Sequence, residues 1–315
     1  MEVISDPISE SPDNPEISVI IATFHSPVTL KCAIRSILNQ EFQDFEILVV
    51  GDKCTDHSED VVKSFGDPRI RWFNLPENIG SQSGPNNEGL KQAKGKLIAY
   101  HGHDDLWMPQ HLSTLRNALV SQNADLVYCL SVMVIQNGAM SVLGGPLVKG
   151  RTFENNYHIP PSSWLHRKEM IEIVGLWPDP DTIEAGVDEY YLRLIARAKQ
   201  KIKYVPSLLI IKFPSVEWSL YSKKGNFPQP VYLDRILKNP LELEREILFD
   251  VAVLESKHYY PVPNVWSSFK EFYRAIGYAF YDFYSRDRWP LKQYRIYKFQ
   301  SFRQRMKKRR GLTRD

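Results

Sequence analysis

A repeated pairing of apolar run and helix-spaced segment constrains what this chain can fold into more than any other feature. Ile17 to Thr23, ISVIIAT, is a continuous β-branched run that suits a strand buried on both faces of a parallel sheet. Pro27 then opens a segment in which Leu30, Ala33, Ile34, Ile37 and Leu38 recur at helical spacing, until Phe42, Gln43 and Asp44 break the pattern. Phe45 to Val50, FEILVV, is a second strand, and the polar residues Gly51 to Asp56 after it cap a helix from Ser58 to Phe65. Arg69 to Leu75 reads as a third strand, Asn87 to Ala93 as a third helix and Leu97 to Tyr100 as a fourth strand. Such alternation with short connections implies right-handed crossovers, hence an α/β fold with a mostly parallel, Rossmann-like sheet flanked by helices.

Ligands of such sheets sit outside the carboxyl ends of the strands. Thr23-Phe24, Asp52 and the turn His103-Asp104-Asp105 each follow a predicted strand, so they converge on one crevice if their strands are neighbours. Neighbouring carboxylates repel unless a cation, a proton or hydrogen-bond donors offset them. The pair Asp104-Asp105 therefore points to a hard metal ion, to acid/base work, or to capping of the helix that runs through Leu112 and Leu115. No Gly-x-Gly-x-x-Gly follows the first strand and no Walker lysine motif is present, which argues against dinucleotide and P-loop chemistry.

At 315 residues the chain can bury a large core in one domain or two. A formal charge of +3 is too small for a nucleic-acid binder overall, and most of the imbalance sits at the C-terminus. Cys32, Cys54 and Cys129 lack metal-ligand spacing and are odd in number, so we expect buried free thiols in a reducing compartment. Residues 1 to 15 read as a flexible, acidic and polar tail rather than a signal peptide, and no run reaches the roughly 18 apolar residues of a membrane span. The expectation is a cytoplasmic protein, or one peripheral at the inner face of a membrane.

Several short segments then match one family in order. They are the opening strand with Thr23-Phe24; the helix ending in Ser36, Leu38 and Gln40; Asp52 within Gly51 to Asp56; Asn78-Ile79-Gly80; Asn87-Glu88-Gly89; Ala93-Lys94-Gly95; and the His103-Asp104-Asp105 turn. Over residues 16 to about 212 the chain resembles the inverting glycosyltransferases of family two, which have the A-type nucleotide-sugar-binding fold. The resemblance implies that Thr23 and Phe24 border the nucleotide base and that Asp52 accepts a hydrogen bond from it, which suits the imide of a uracil or thymine ring. Asn78, Asn87, His103 and Asp104 fall in the same donor site. The family's Asp-x-Asp-Asp turn has Gly102 where its first aspartate stands, so the chain either uses fewer ligands or recruits His101 or His103. By the resemblance Asp105 is a direct ligand of Mg2+ or Mn2+, and Asp104 touches ribose or a metal-bound water.

The resemblance also places the acceptor half. Ile159 to Lys168 looks like the segment on which that half is built, with a helix then leading to Val174-Gly175-Leu176-Trp177. Trp164 and Trp177 are candidates for stacking on a sugar, or core residues. An inverting transfer needs a carboxylate to take the proton of the acceptor hydroxyl. Asp188 is the first choice, Glu189 the second and Glu184 the third, since alignment on Leu192-Arg193 puts Val187 at the base position and Glu189 could simply pair with Arg193.

Lys201 to Ile211 reads as the edge strand that closes a catalytic domain over residues 16 to 215. Helical spacing in Tyr232 to Ser256 and Trp266 to Tyr284 marks an appended helical region, residues 216 to 285. Residues 286 to 315 are strongly basic with interleaved aromatics, a pattern that suits an anionic membrane surface, a nucleic-acid arm or a solvated tail; the modest overall charge argues against nucleic acid. The function expected is transfer of a sugar from a UDP- or dTDP-type donor to a saccharide or lipid-linked acceptor in surface polysaccharide assembly. A catalytically silent nucleotide-sugar-binding or scaffold module is the alternative.

Overall fold

The computed structural model describes residues 14–136, 140–147, 152–153, 159–215, 218, 227–259, 300 and 304. The tail before residue 14, the helix expected at Trp266 to Tyr284 and nearly all of the basic segment 286 to 315 lie outside the described residues.

β1 (Ile17–Thr23), β2 (Phe45–Gly51), β3 (Ile70–Asn74) and β4 (Leu97–Gly102) run parallel in the order β3-β2-β1-β4. β1 thus pairs on both sides, Ile17 with Phe45 and with Leu97. The helices between these strands are α1 (Pro27–Leu38), α2 (Ser58–Lys63) and α3 (Ser83–Gln92). Two extents differ from the sequence reading: α3 begins at Ser83 rather than Asn87, and β4 continues through His101 and Gly102.

Beyond β4 the sheet becomes mixed. β5 (Leu106–Trp107), α4 (His111–Ser121), β6 (Leu126–Val134) and β7 (Met140–Leu143) come first, followed by a 3-10 turn over Pro161–Ser163. β8 (Trp164–Arg167), α5 (Met170–Val174), α6 (Val187–Arg197) and β9 (Ile202–Lys212) follow. Among the described residues the sheet has nine strands and continues β4-β8-β6-β9-β5, with β7 on β6. β8 is antiparallel to both neighbours, whereas β9 is parallel to β6 and antiparallel to the two-residue β5. The expectation of an edge strand at Lys201 to Ile211 is therefore corrected: β9 lies inside the sheet, because the chain returns just after the aspartate turn to pair Leu106 and Trp107 with Ile211 and Ile210.

The pleat sorts side chains onto two layers, since successive residues of a strand point to opposite faces. Ile17, Val19, Ile21, Ile47 and Val49 pack with Leu30, Ile34 and Ile37 of α1, Val62 of α2 and Leu112, Leu115 and Leu119 of α4. Ile20, Leu48, Ile98 and Tyr100 pack instead with Leu90 of α3, Met170 of α5 and Tyr191, Leu192 and Ile195 of α6. Each such buried aliphatic side chain contributes about 1.5–3 kcal/mol relative to exposure. α7 (Gln229–Lys238) and α8 (Pro240–Tyr259) replace the single helix read over Tyr232 to Ser256, the break falling at Asn239-Pro240. Leu233, Ile236, Leu243 and Ile247 of this pair share a core with Leu106, Met108, Ile211 and Phe213. The appended helices are thus continuous with the sheet beside the turn. Cys32, Cys54 and Cys129 are buried free thiols, and burial pushes Cys32 and Cys54 up to about 11.

Candidate active site

β4 ends in a tight turn in which the Asp105 N–H donates to the Gly102 carbonyl at 3.0 Å. Asp105 is only 1% exposed, and its Oδ2 accepts from the Ser162 hydroxyl and from the Lys212 ammonium. Ser162 Oγ in turn accepts the Gly102 N–H at 3.2 Å, closing a ring of bonds around the turn. Asp105 is therefore not a helix cap: β5 follows it directly, and α4 starts only after Gln110, which makes no side-chain cap bond. Asp104 is less buried and its carbonyl accepts from Gln229 Nε2 at 3.1 Å, fixing the turn to α7. Burial holds the Asp104 carboxyl above its ordinary value; Asp105 adds to the rise while His103 and Lys212 oppose it.

Lys212 closes β9 with its side chain 21% exposed. Burial pulls its ammonium down, but Asp105 and Asp104, with a further contribution from Asp188, carry it above the ordinary lysine value. Lys212 and Ser162 are site residues that the sequence reading missed. The signal for Lys212 was a lone cation ending the apolar run Leu208-Leu209-Ile210-Ile211; that it faces the aspartate pair follows only from β9 lying beside β5.

His101 is a structural residue. Its Nδ1 bonds the Gly102 carbonyl at 2.6 Å, its ring meets Trp107 edge-on at 4.5 Å, and burial lowers it to about 4. His103 Nδ1 bonds the Ala22 carbonyl at 3.0 Å, tying the turn to the end of β1. The Ser36 to Gln40 motif serves the same turn from α1. Trp107 N–H donates to Ser36 Oγ at 3.3 Å, and Gln40 spans the Met108 carbonyl at 2.8 Å and the Leu112 N–H at 2.9 Å.

At the ends of β1 and β2, Asp52 N–H donates to the Thr23 carbonyl at 2.8 Å, while Thr23 Oγ1 is buried without a partner among the described residues. Phe24 stacks on His25 at 4.0 Å. The Asp52 carboxylate accepts the Ile79 and Gly80 N–H groups, each at 2.7 Å, and Asn78 Nδ2 donates to the Asp52 carbonyl at 3.2 Å. Asp52 thus shapes the loop at residues 78–80 instead of capping α2. Asn87 bonds the Trp177 backbone with both ends of its amide, at 2.8 and 3.0 Å, and so ties α3 to the segment between α5 and α6.

Of the two readings open to Trp164 and Trp177, sugar stacking or core, the structure gives core for both. Trp164 is 0% and Trp177 3% exposed; they stack on one another at 5.9 Å, and Trp177 stacks on Tyr191 at 4.7 Å. Asp188 and Glu189 occupy the first turn of α6, where a helix N-terminus favours negative charge. Glu189 is ion-paired with Arg193 one turn on, whereas Asp188 is the carboxylate of this pair that Lys212 feels. Glu184 precedes the helix, partly buried.

A family-type divalent ion would rest on Asp105 and Asp104, and the residues present do not fit it. Asp105 Oδ2 already holds an ammonium and a hydroxyl. At Gly102 an added Cβ would come within 2.6 Å of Asp105 Oδ2 and 3.0 Å of Asp104 Oδ1, so a third carboxylate there would have to displace the Asp105 carboxylate from its present bonds. Among the described residues no group of three or more His, Cys, Asp or Glu side chains is placed to hold a metal ion.

Residues 18–171 match the family model of glycosyl transferase family 2, and with this sheet and turn the chain carries a family 2 glycosyltransferase domain of the A-type fold. A GalNAc(5)-diNAcBac-PP-undecaprenol beta-1,3-glucosyltransferase of Campylobacter jejuni is 42% identical over 106 residues, 32% of this chain and 33% of the relative. The poly(ribitol-phosphate) beta-N-acetylglucosaminyltransferase TarP of Staphylococcus aureus is 33% identical over 116 residues, 36% of this chain and 35% of its own. The chain thus matches about a third of the length of these relatives. Among solved structures, S. aureus TarS 1-349 in complex with UDP-GlcNAc shares the fold, with a TM-score of 0.53 at 19% identity over 67% of this chain and 60% of that one.

Proposed function

We propose that the protein transfers a sugar from a uridine or thymidine diphosphate donor to a saccharide or lipid-linked acceptor, with inversion at the anomeric carbon, in the assembly of a surface polysaccharide. The observation that carries this reading is the meeting of the aspartate turn, Lys212 and Asp188 in one electrostatic group where the sheet changes from parallel to mixed. The names of the relatives, which act on undecaprenol-linked and ribitol-phosphate acceptors, support the acceptor class. The basic, aromatic-interleaved sequence of residues 286 to 315 supports an anionic membrane surface as the place where such an acceptor is met. No helix among the described residues is long and apolar enough to cross a membrane.

In the transfer, Thr23, Phe24 and the loop held by Asp52 receive the nucleotide, and the diphosphate lies at the turn. The acceptor hydroxyl oxygen bonds to the anomeric carbon from the opposite side while the bond from that carbon to the diphosphate oxygen breaks. The electron pair leaves with the nucleoside diphosphate and the hydroxyl proton passes to the Asp188 carboxylate. Thermal shift with a panel of nucleoside diphosphates, followed by donor turnover, tests this. UDP or dTDP should stabilise the chain, and Asp188→Asn should keep that stabilisation while losing roughly 10²–10⁴-fold in transfer. Stabilisation by no nucleotide, or full transfer by Asp188→Asn, would overturn the reading; binding without turnover of any nucleotide sugar would favour the silent module.

A further inference from the structure

We propose that the Lys212 ammonium takes the place of a divalent cation in this site, holding the donor's diphosphate directly so that binding and transfer proceed without metal. The inference rests on the donor-site reading above and adds the source of positive charge.

Two adjacent carboxylates at a strand end need a counter-charge, and here it is built in. The Lys212 ammonium contacts Asp105 Oδ2, with Asp104 and Asp188 close enough to act on it electrostatically. An ammonium has three N–H donors, and among the described residues Asp105 is the acceptor that Lys212 reaches. The remaining donors and the 21% of the side chain left open are available to diphosphate oxygens. A metal ion at Asp105 would have to displace the Lys212 ammonium from this ion pair and leave it beside the metal as a like charge. Gly102 completes the arrangement. Its lack of a side chain lets both carboxylates fold back over the turn, and it withholds the third carboxylate that would have left net charge for a divalent ion to neutralise. Lys212 stays protonated throughout the transfer and faces the charge that develops as the diphosphate departs.

The test is UDP binding by the full chain, measured calorimetrically in EDTA and in Mn2+, for wild type, Lys212→Arg and Lys212→Met. Wild type should bind UDP in EDTA within about twofold of its affinity in Mn2+, and Lys212→Arg should follow it. Lys212→Met should lose at least roughly tenfold in EDTA, equivalent to about 1.4 kcal/mol. That substitution also releases Asp105 Oδ2, so Lys212→Met should acquire Mn2+ binding, visible as loss of the free-ion paramagnetic resonance signal, that wild type lacks. UDP binding by wild type that requires Mn2+ would overturn the proposal even if Lys212→Met does not fold, as would unchanged UDP affinity of Lys212→Met in EDTA. Failure of any nucleoside diphosphate to bind in either buffer would instead overturn the donor-site reading, and this proposal with it.

Discussion

Gly102 shows how one residue sets the chemistry of its neighbours. Its hydrogen leaves the Asp104 and Asp105 carboxylates where they are, and a side chain there must push into them. Gly102→Asp should destabilise the protein by about 1–3 kcal/mol through overpacking, before the repulsion of a third acid is counted. Urea unfolding checks this, and a variant as stable as wild type would show that the turn yields freely. The aspartate pair was legible in the sequence because it follows an apolar run at a fixed interval. Its counter-ion was not, since Lys212 lies 107 residues further on and is brought there by strand pairing. Asp188 and Glu189 were legible as a pair, but what distinguishes them is partnership: Arg193 engages Glu189 within the helix, and the charge of Asp188 is the one that reaches Lys212.

At the scale of elements, the loop at residues 78–80 has no secondary structure and is held by the carboxylate of a residue in the β2–α2 connection. Asp52→Ala removes the acceptor of both the Ile79 and Gly80 N–H groups, each such charged hydrogen bond being worth about 1.5–3 kcal/mol. Amide exchange at these two positions should accelerate by at least roughly tenfold while exchange in β1 is unaltered; unchanged exchange would show that the loop stands without Asp52. β1, β2 and β4 were legible because apolar runs buried on both faces leave a continuous signature, whereas β3, with Arg71 in its middle and no fully buried residue, was legible only from its place in the alternation. β9 carries the same signature, and its neighbours could not be read from it: the two-residue β5 is too short to register in any sequence pattern. The tryptophans illustrate the same limit, since an aromatic that packs against Tyr191 and one that packs against a sugar have the same local sequence.

At the scale of the whole molecule, three histidines among the described residues are buried where protonation is unfavourable. Burial lowers His101 and His166 to about 4 and His111 well below its ordinary value. The unfolded chain protonates these rings near pH 6.5 and the folded chain does not, so the unfolded state binds more protons below that pH and stability falls as pH falls. Their contribution is complete above about pH 6.5 and is lost on descending towards 4, at up to about 1.4 kcal/mol per pH unit for each histidine. Urea midpoints at pH 7.5, 6 and 5 should decline in that order, and a flat profile would contradict the burial of these rings. The Gln40 side chain, finally, means that the aspartate turn does not belong to its own strand alone. It grips the Met108 carbonyl and the Leu112 amide from the end of α1, a helix some seventy residues earlier. Residues 97 to 112 are therefore not a transferable cassette: a chimera that imports this stretch from another glycosyltransferase must import the end of its first helix as well, or the graft arrives without its anchor.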